Sequence, residues 1–180
     1  MRKVVYGVGI SLDGYIARPD GSVDFLFMPK DYSMRAFFER MDFAVMGRKT
    51  YEVALKMGGG SFDSQGMKCY VFSRTLKAGE RGGVTFTAEA PKQFLKAQRK
   101  NKGKDIWLMG GGDLAREFLR EDLVDEIQLG VLPVLIGKGI AAFPTEFPER
   151  KFILTENKTF SRGMIALKYE RARARKKTRE

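Results

Sequence analysis

Phe43-Ala-Val-Met-Gly47-Arg48-Lys49-Thr50-Tyr51-Glu52 and Ile106-Trp-Leu-Met-Gly110-Gly111-Gly112-Asp113-Leu114-Ala115 share one layout: an apolar strand-like run, a glycine turn, then a helix-like run. Glycine at such a turn lets the backbone approach an anion closely. The helix start that follows offers unpaired N–H groups and the positive end of its dipole. Two turns of this kind in one chain point to a dinucleotide ligand and fix the reading of everything between them.

Working outward, the pattern alternates. Lys3–Ile10 reads as a strand and leads into a polar loop carrying Gly14, Pro19, Asp20 and Gly21. Met34, Phe37, Phe38 and Met41 recur at helical spacing, which predicts a helix from about Asp31 to Met41. A strand follows at Phe43–Met46 and a helix at Thr50–Met57, ending at glycines 58 to 60. Lys68–Phe72 and Val84–Phe86 read as strands, Pro91–Lys100 as a helix with proline in its first turn, Asp105–Met109 as a strand and Asp113–Arg120 as a helix. A longer strand over Asp125–Leu132 and a hairpin-like pair, Phe152–Phe160 and Met164–Glu170 around Ser161-Arg-Gly163, complete the chain. Short apolar strands alternating with helices imply βαβ units. The expected fold is α/β, a three-layer αβα arrangement whose central sheet is mixed and mostly parallel. In such sheets ligands bind at the carboxyl ends of the strands, where both glycine turns lie.

Composition narrows the chemistry. At 180 residues with 43% hydrophobic residues and 14 phenylalanines, the chain fits one packed domain over residues 1–170, with a basic tail over 171–180. No histidine is present, which excludes Ser-His-Asp and Cys-His catalysis and His-ligated zinc, and the single Cys69 excludes an internal disulfide and a cysteine-zinc cluster. No metal site is expected. No apolar run reaches the roughly 20 residues of a membrane span, and the N-terminus lacks a signal-peptide layout, so no membrane partner and a cytoplasmic location are expected. Much of the +11 net charge lies in Arg171-Ala-Arg-Ala-Arg-Lys-Lys-Thr-Arg-Glu180. That tail leaves a nucleic-acid-binding reading open, but aromatic residues do not interleave with its charges.

Single motifs have plain alternatives. Gly110-Gly-Gly112-Asp-Leu-Ala115 fits G-x-G-x-x-A, yet it follows several strands instead of the first, and its glycines could simply shape a tight turn. Gly47-Arg-Lys-Thr50 matches the tail of a P-loop, but Asp42 stands where the upstream glycine belongs. Ser73-Arg74 after the Lys68–Phe72 strand could hold a phosphate or merely end a strand in solvent.

Their order is more specific. Ser11-Leu-Asp-Gly-Tyr-Ile-Ala17, Met46-Gly-Arg-Lys-Thr-Tyr-Glu52, Val71-Phe-Ser-Arg74 and Leu108-Met-Gly-Gly-Gly112, in that sequence, resemble the dihydrofolate-reductase-like superfamily. Together with Asp125-Glu-Ile-Gln-Leu-Gly-Val-Leu-Pro-Val-Leu-Ile-Gly-Lys-Gly139, they are most similar to the reductase domain of the riboflavin-biosynthesis deaminase-reductase and its stand-alone relatives. The resemblance runs from about Lys3 to Glu170. It implies an NADPH-dependent reductase of a heterocyclic small molecule, with a ribosylamino-pyrimidine as the leading substrate class and a pterin as the alternative. Carried over, Gly9 and Ile16 line the nicotinamide pocket, Gly47, Arg48, Lys49 and Thr50 receive phosphates, and Ser73 and Arg74 lie near the 2′-phosphate. Gly110, Gly111 and Gly112 bring backbone against the cofactor, the first two joined by a cis peptide. Asp113 stands where some dihydrofolate reductases place a basic residue. Asp31 is the candidate proton source, with helix capping as its other reading, and Asp13 and Asp24 are further substrate-binding candidates. The relatives commonly pair, and the apolar run Ile127–Ile136 is expected to provide part of a homodimer contact. With no histidine and one cysteine, the chain cannot build the zinc site of the partner deaminase.

Overall fold

In the computed structural model, residues 2–58 and 66–172 are described. Most of the glycine-rich segment 58–66, read as a cleft rim, and the basic tail beyond 172 lie outside the described residues.

The chain runs β1 (Val4–Ser11), β2 (Tyr15–Ala17), α1 (Arg35–Arg40), β3 (Met41–Gly47), α2 (Arg48–Met57), β4 (Lys68–Phe72), β5 (Gly79–Arg81), β6 (Val84–Thr87), α3 (Pro91–Gln98), β7 (Asp105–Gly110), α4 (Gly112–Arg120), β8 (Glu126–Leu132), β9 (Ile140–Ala141), β10 (Phe152–Thr159) and β11 (Ile165–Arg171). Nine strands form one sheet in the order β10-β11-β8-β1-β7-β3-β4-β6-β5, while β2 and β9 pair separately. The pairs β1–β7, β1–β8, β3–β7, β3–β4 and β4–β6 are parallel. The edges are antiparallel, β8–β11–β10 on one side and β6–β5 on the other. The sheet is therefore mixed and mostly parallel, as the alternating pattern predicts.

Helices cover both faces because strand side chains alternate. On one face Val4, Tyr6, Phe43, Val45, Ile106 and Leu108 meet Phe94 and Leu95 of α3 and Leu114, Ala115, Phe118 and Leu119 of α4. Phe118 is fully buried, so its truncation to alanine should cost about 3–5 kcal/mol. On the other face Ala44, Met46, Cys69, Val71 and Phe86 pack with Tyr51 and Leu55 of α2. Phe37 and Phe38 of α1 meet the Trp107 ring edge-on, with centroids 5.4 and 5.7 Å away.

The helix expected over Asp31–Met41 is shorter than its spacing predicts. It starts at Arg35, with Met34 in the cap position, and Met41 already belongs to β3. One local turn bond and one tertiary contact hold residues 29–33 out of the helix. The Tyr32 N–H donates to the Pro29 carbonyl at 3.1 Å, and the Asp31 carboxylate accepts from Ser161 in the β10–β11 turn. Apolar spacing alone does not register a side chain committed to a remote turn.

Candidate active site

Both glycine turns sit at the carboxyl ends of neighbouring parallel strands, β3 and β7, with Met46 paired to Gly110. Gly47 caps α2 and Gly111 caps α4, and neither helix start has a side-chain cap. First-turn N–H groups of both helices are thus left for an outside acceptor. The turns also touch. A Cβ on Gly111 would lie 3.0 Å from the Thr50 hydroxyl, and one on Gly47 would lie 3.8 Å from the Gly111 nitrogen. Gly110 has φ +113°, a conformation that favours glycine, and the Gly110–Gly111 peptide is cis, as the resemblance implies. Gly112 is bare for another reason: a Cβ there would meet the Ala141 carbonyl oxygen at 2.7 Å and Pro144 at 2.9 Å.

A cleft of about 2040 Å³ runs past these turns. Gly9, Ile16, Gly47, Arg48, Lys49, Thr50, Ser73, Arg74, Gly111, Gly112 and Asp113 all line it. Residues distant in sequence are therefore brought to one surface. Gly110 is buried beneath that surface. Arg48 is held along α2 by Glu52, at 3.1 Å, while Lys49 and Arg74 are exposed. Ser73 is engaged within its own turn. Its hydroxyl oxygen accepts from the Leu76 N–H at 3.0 Å and the Thr75 N–H at 3.3 Å, shaping the loop that carries Arg74. Asp113 is exposed and pairs with Arg116 at 3.3 Å.

The three candidate carboxylates are each engaged by groups of the chain itself. Asp13 is absent from the cleft wall. Its oxygens accept from the Ile136 and Gly137 N–H groups, at 3.1 and 2.7 Å, and so tie the 11–17 turn to the loop after β8. Hydrogen bonds from Ser11 and from this loop hold its carboxyl below the ordinary range. Asp24 also lies off the wall, engaged by the Arg18 guanidinium through two hydrogen bonds, which lowers its pKa. In this structure both clamp loops.

Asp31 does line the cleft, but its carboxylate accepts from the Ser161 N–H at 2.9 Å and the Ser161 hydroxyl at 2.6 Å. The Ser161 bonds hold it below the ordinary carboxylate range. A proton source needs the opposite shift; in this structure Asp31 straps the α1 loop to the β10–β11 turn. It is not the helix cap, because Met34 holds that position.

Further along, strand register assembles a polar wall that motif reading missed. Gly7 pairs with Gln128, Gln128 with Lys168, and Lys168 with Glu156, forming one row across β1, β8, β11 and β10. All four line the cleft, as do Trp107 and Arg40. Beneath them Glu126 is buried, its carboxylate accepting from Arg40 Nη1 and Nη2 at 2.7 and 2.8 Å, and Arg40 Nε donates to Asp105 at 2.8 Å. Burial pushes the Glu126 carboxyl up, but the Arg40 and Gln128 hydrogen bonds outweigh it and hold it below its ordinary value. The only sequence signal for this wall is the period-two placement of Glu126 and Gln128 in an otherwise apolar strand.

Among the described residues no group of His, Cys, Asp and Glu is arranged to hold a metal, and no helix is long and apolar enough to cross a membrane. The chain is 36% identical over 174 residues to the uncharacterized protein YwjB of Bacillus subtilis (strain 168), covering 95% of this chain and 99% of that one. It is 29% identical to the uncharacterized protein YyaP of the same organism over 93% and 94% of the two chains. A solved structure from Shewanella sp. PV-4, of a protein named for riboflavin biosynthesis, superposes with a TM-score of 0.82 at 25% identity, covering 96% of this chain and 100% of that one. The Thermotoga maritima diaminohydroxyphosphoribosylaminopyrimidine deaminase/5-amino-6-(5-phosphoribosylamino)uracil reductase shares the fold, with a TM-score of 0.70 at 17% identity over 95% of this chain and 57% of that one. The family model described as the RibD C-terminal domain matches residues 2–166, nearly the whole described chain, and this protein therefore belongs to the RibD C-terminal domain family.

Proposed function

We propose that the protein is an NADPH-dependent reductase of the riboflavin-biosynthesis type, acting on a ribosylamino-pyrimidine. The observation that carries this reading is the contact between the two glycine turns. Two uncapped helix starts, Gly47–Thr50 and Gly111–Asp113, open onto one cleft with bare backbone between them, which fits a diphosphate that must be approached closely. Lys49, Arg48 and Arg74 along the same wall supply positive charge for the extra phosphate that distinguishes NADPH from NADH.

Bound there, NADPH would supply the hydride. The chain's own part is orientation and exclusion of water: Gly9 and Ile16 flank the reactive ring, while Leu26, Phe37 and Trp107 give the substrate side an apolar wall. Asp31, ionised and tied to Ser161, positions that wall. The reading carries with it a cytoplasmic setting and a homodimer as the working unit.

The test is loss of NADPH absorbance with purified protein against a ribosylamino-pyrimidine phosphate and against dihydrofolate in parallel. Turnover of the pyrimidine alone is the expected outcome. Turnover of dihydrofolate alone would transfer the assignment to the pterin alternative, and turnover of neither, with no NADPH binding, would overturn it.

A further inference from the structure

We infer that Gln128 and Lys168 form a subsite that reads a lactam edge, an N–H beside a C=O, on the substrate's ring. The inference rests on the reductase reading for the identity of the cleft, and it names the chemistry of the cleft's substrate end.

The argument begins with which end of the Gln128 amide is committed. Its Nε2 donates to the buried Glu126 carboxylate at 2.6 Å. An ionised carboxylate only accepts, so the amide must present its NH₂ side there. Glu126 is itself locked by Arg40 through two bonds of 2.7 and 2.8 Å, and it cannot turn away. The Gln128 carbonyl oxygen is consequently directed off the carboxylate as an acceptor, and among the described residues no donor reaches it. A neutral amide is thereby made into a one-way acceptor by a charged pair beneath it.

Lys168 supplies the complementary half. It lies directly opposite Gln128 on β11, and both residues line the cleft. Directly opposed residues have Cβ atoms about 4.5–5.5 Å apart, so both side-chain heads can reach one edge of one small ring. Lys168 forms no ion pair among the described residues, though its charge helps hold Glu126 ionised. An acceptor beside a cationic donor matches a ring edge that offers N–H next to C=O. An edge with two donors would face the ammonium unfavourably, and an edge without N–H would leave the Gln128 oxygen unpaired in a partly buried site.

The row continues with Gly7, where a Cβ would meet Phe37 at 2.9 Å. The Gly7 carbonyl accepts from the Trp107 indole N–H at 2.9 Å, which fixes that ring as an apolar neighbour of the polar pair. A flat oxopyrimidine has this division: a polar edge and two apolar faces.

Trp107 is the chain's one tryptophan, so its fluorescence reports the site directly. The probes are 5,6-diaminouracil and 5,6-diamino-1,3-dimethyluracil, which keep the same carbonyls but differ in ring N–H. The parent protein should bind the unmethylated ring about tenfold more tightly, the order expected for one hydrogen bond in a partly buried site. Gln128→Leu should abolish that preference, Lys168→Met should weaken both ligands, and Lys168→Arg should restore them. A parent protein that binds both rings equally, or a Gln128→Leu variant that keeps the preference, overturns the subsite. Folding is followed by circular dichroism, and the two Lys168 variants decide the matter should Gln128→Leu unfold. NADPH binding is measured on the same samples. NADPH binding without ring discrimination removes the subsite and leaves the reductase reading standing, whereas discrimination without NADPH binding does the reverse.

Discussion

The backbone of Gly111 passes so close to Thr50 that a Cβ at position 111 would lie 3.0 Å from the Thr50 hydroxyl oxygen. Two glycine turns, 61 positions apart in the chain by subtraction of 50 from 111, therefore share one wall. Gly111→Ala should push the Thr50 side chain aside, destabilise the protein by about 1–3 kcal/mol and weaken NADPH binding. Adding Thr50→Ala removes the clashing oxygen. The double variant should recover stability in thermal melts without recovering full NADPH affinity, because the hydroxyl and the close approach are both lost. Additive melting shifts in the two single variants and the double variant would show that the turns are not coupled.

Cofactor preference separates the basic residues. Arg74 is exposed on the cleft wall at the end of the turn that Ser73 shapes, so Arg74→Ala should shrink the difference between NADPH and NADH in ligand-induced melting shifts. Arg48 lies in the first turn of α2, and Arg48→Ala should weaken binding more broadly, lowering affinity for both dinucleotides. Variants that bind both cofactors as the parent does would remove this placement of the phosphates.

Asp31 is a strap, and the expected kinetics differ from those of an acid. Asp31→Asn keeps an acceptor for Ser161 and should retain most of kcat. Asp31→Ala frees the loop that holds Tyr32 edge-on against Phe160, at a centroid distance of 4.9 Å, and should raise KM more than it lowers kcat. Because the folded carboxyl sits below its ordinary value of about 3.9, the strap is present at neutral pH and is lost only as pH falls through that depressed value. A sharp loss of kcat in Asp31→Asn would reinstate it as the proton source.

The Arg40–Glu126 pair gives a pH signature of the opposite sign when broken. In the parent, the depressed Glu126 carboxyl contributes stability above its unfolded value of about 4.3, and that contribution is lost as pH falls through the folded value. Arg40→Met leaves Glu126 buried without its main partner and should cost about 3–5 kcal/mol at pH 7. Desolvation then raises the carboxyl, so protonation relieves the penalty, and the gap between variant and parent should narrow as pH drops toward about 5. Chemical denaturation at several pH values reads this directly. A constant gap would show that Glu126 is not the group responsible.

Assembly is expected to involve the outer strand. The proline-broken end of the run Ile127–Ile136 was expected to reach a subunit contact, with part of the run in the core; β8 itself lies inside the sheet between β11 and β1, with Ile127 and Leu132 buried. What it leaves outside is Leu135, at 71% exposure, while the edge strand β10 exposes Ile153 at 60% and Leu154 at 46%. An unpaired edge carrying apolar side chains favours pairing with a second copy. Light scattering should return twice the 20.4 kDa chain mass at micromolar concentration, and Ile153→Lys should return the single-chain value. A parent protein at 20.4 kDa across a concentration series would show that the edge stands alone.

Local chemistry settled most of the elements and both glycine turns in advance, though not the short strands β2, β5 and β9. Gly47 and Gly111 are legible because a strand, a bare turn and a helix start follow one another within ten residues, and α4 because Leu114, Ala115, Phe118 and Leu119 recur at helical spacing. Their convergence was legible too, since parallel strands carry their following turns to the same edge. Asp31 and Asp13 were misread because their partners lie far along the chain, whereas Asp24 pairs with Arg18 only six positions away. Asp31 looked like a cap or an acid because nothing near it in sequence shows Ser161, which is 130 positions away. Asp13 reads from sequence as a substrate candidate or as a local turn stabiliser beside Gly14, because its partners Ile136 and Gly137 lie far along the chain.

Gln128, Lys168 and Glu156 sit on strands whose existence the sequence shows, yet they form one wall only because β8, β11 and β10 pair in a particular register. A slip of one residue would turn each of these side chains to the opposite face of the sheet. The amino-acid sequence by itself determined where backbone would be bare and helix starts open, because those are properties of a few consecutive residues. Tertiary structure alone decided which carboxylates are spent on loops and which polar groups face the cleft, because pairing between distant strands sets both which donors reach a carboxylate and which face a side chain occupies.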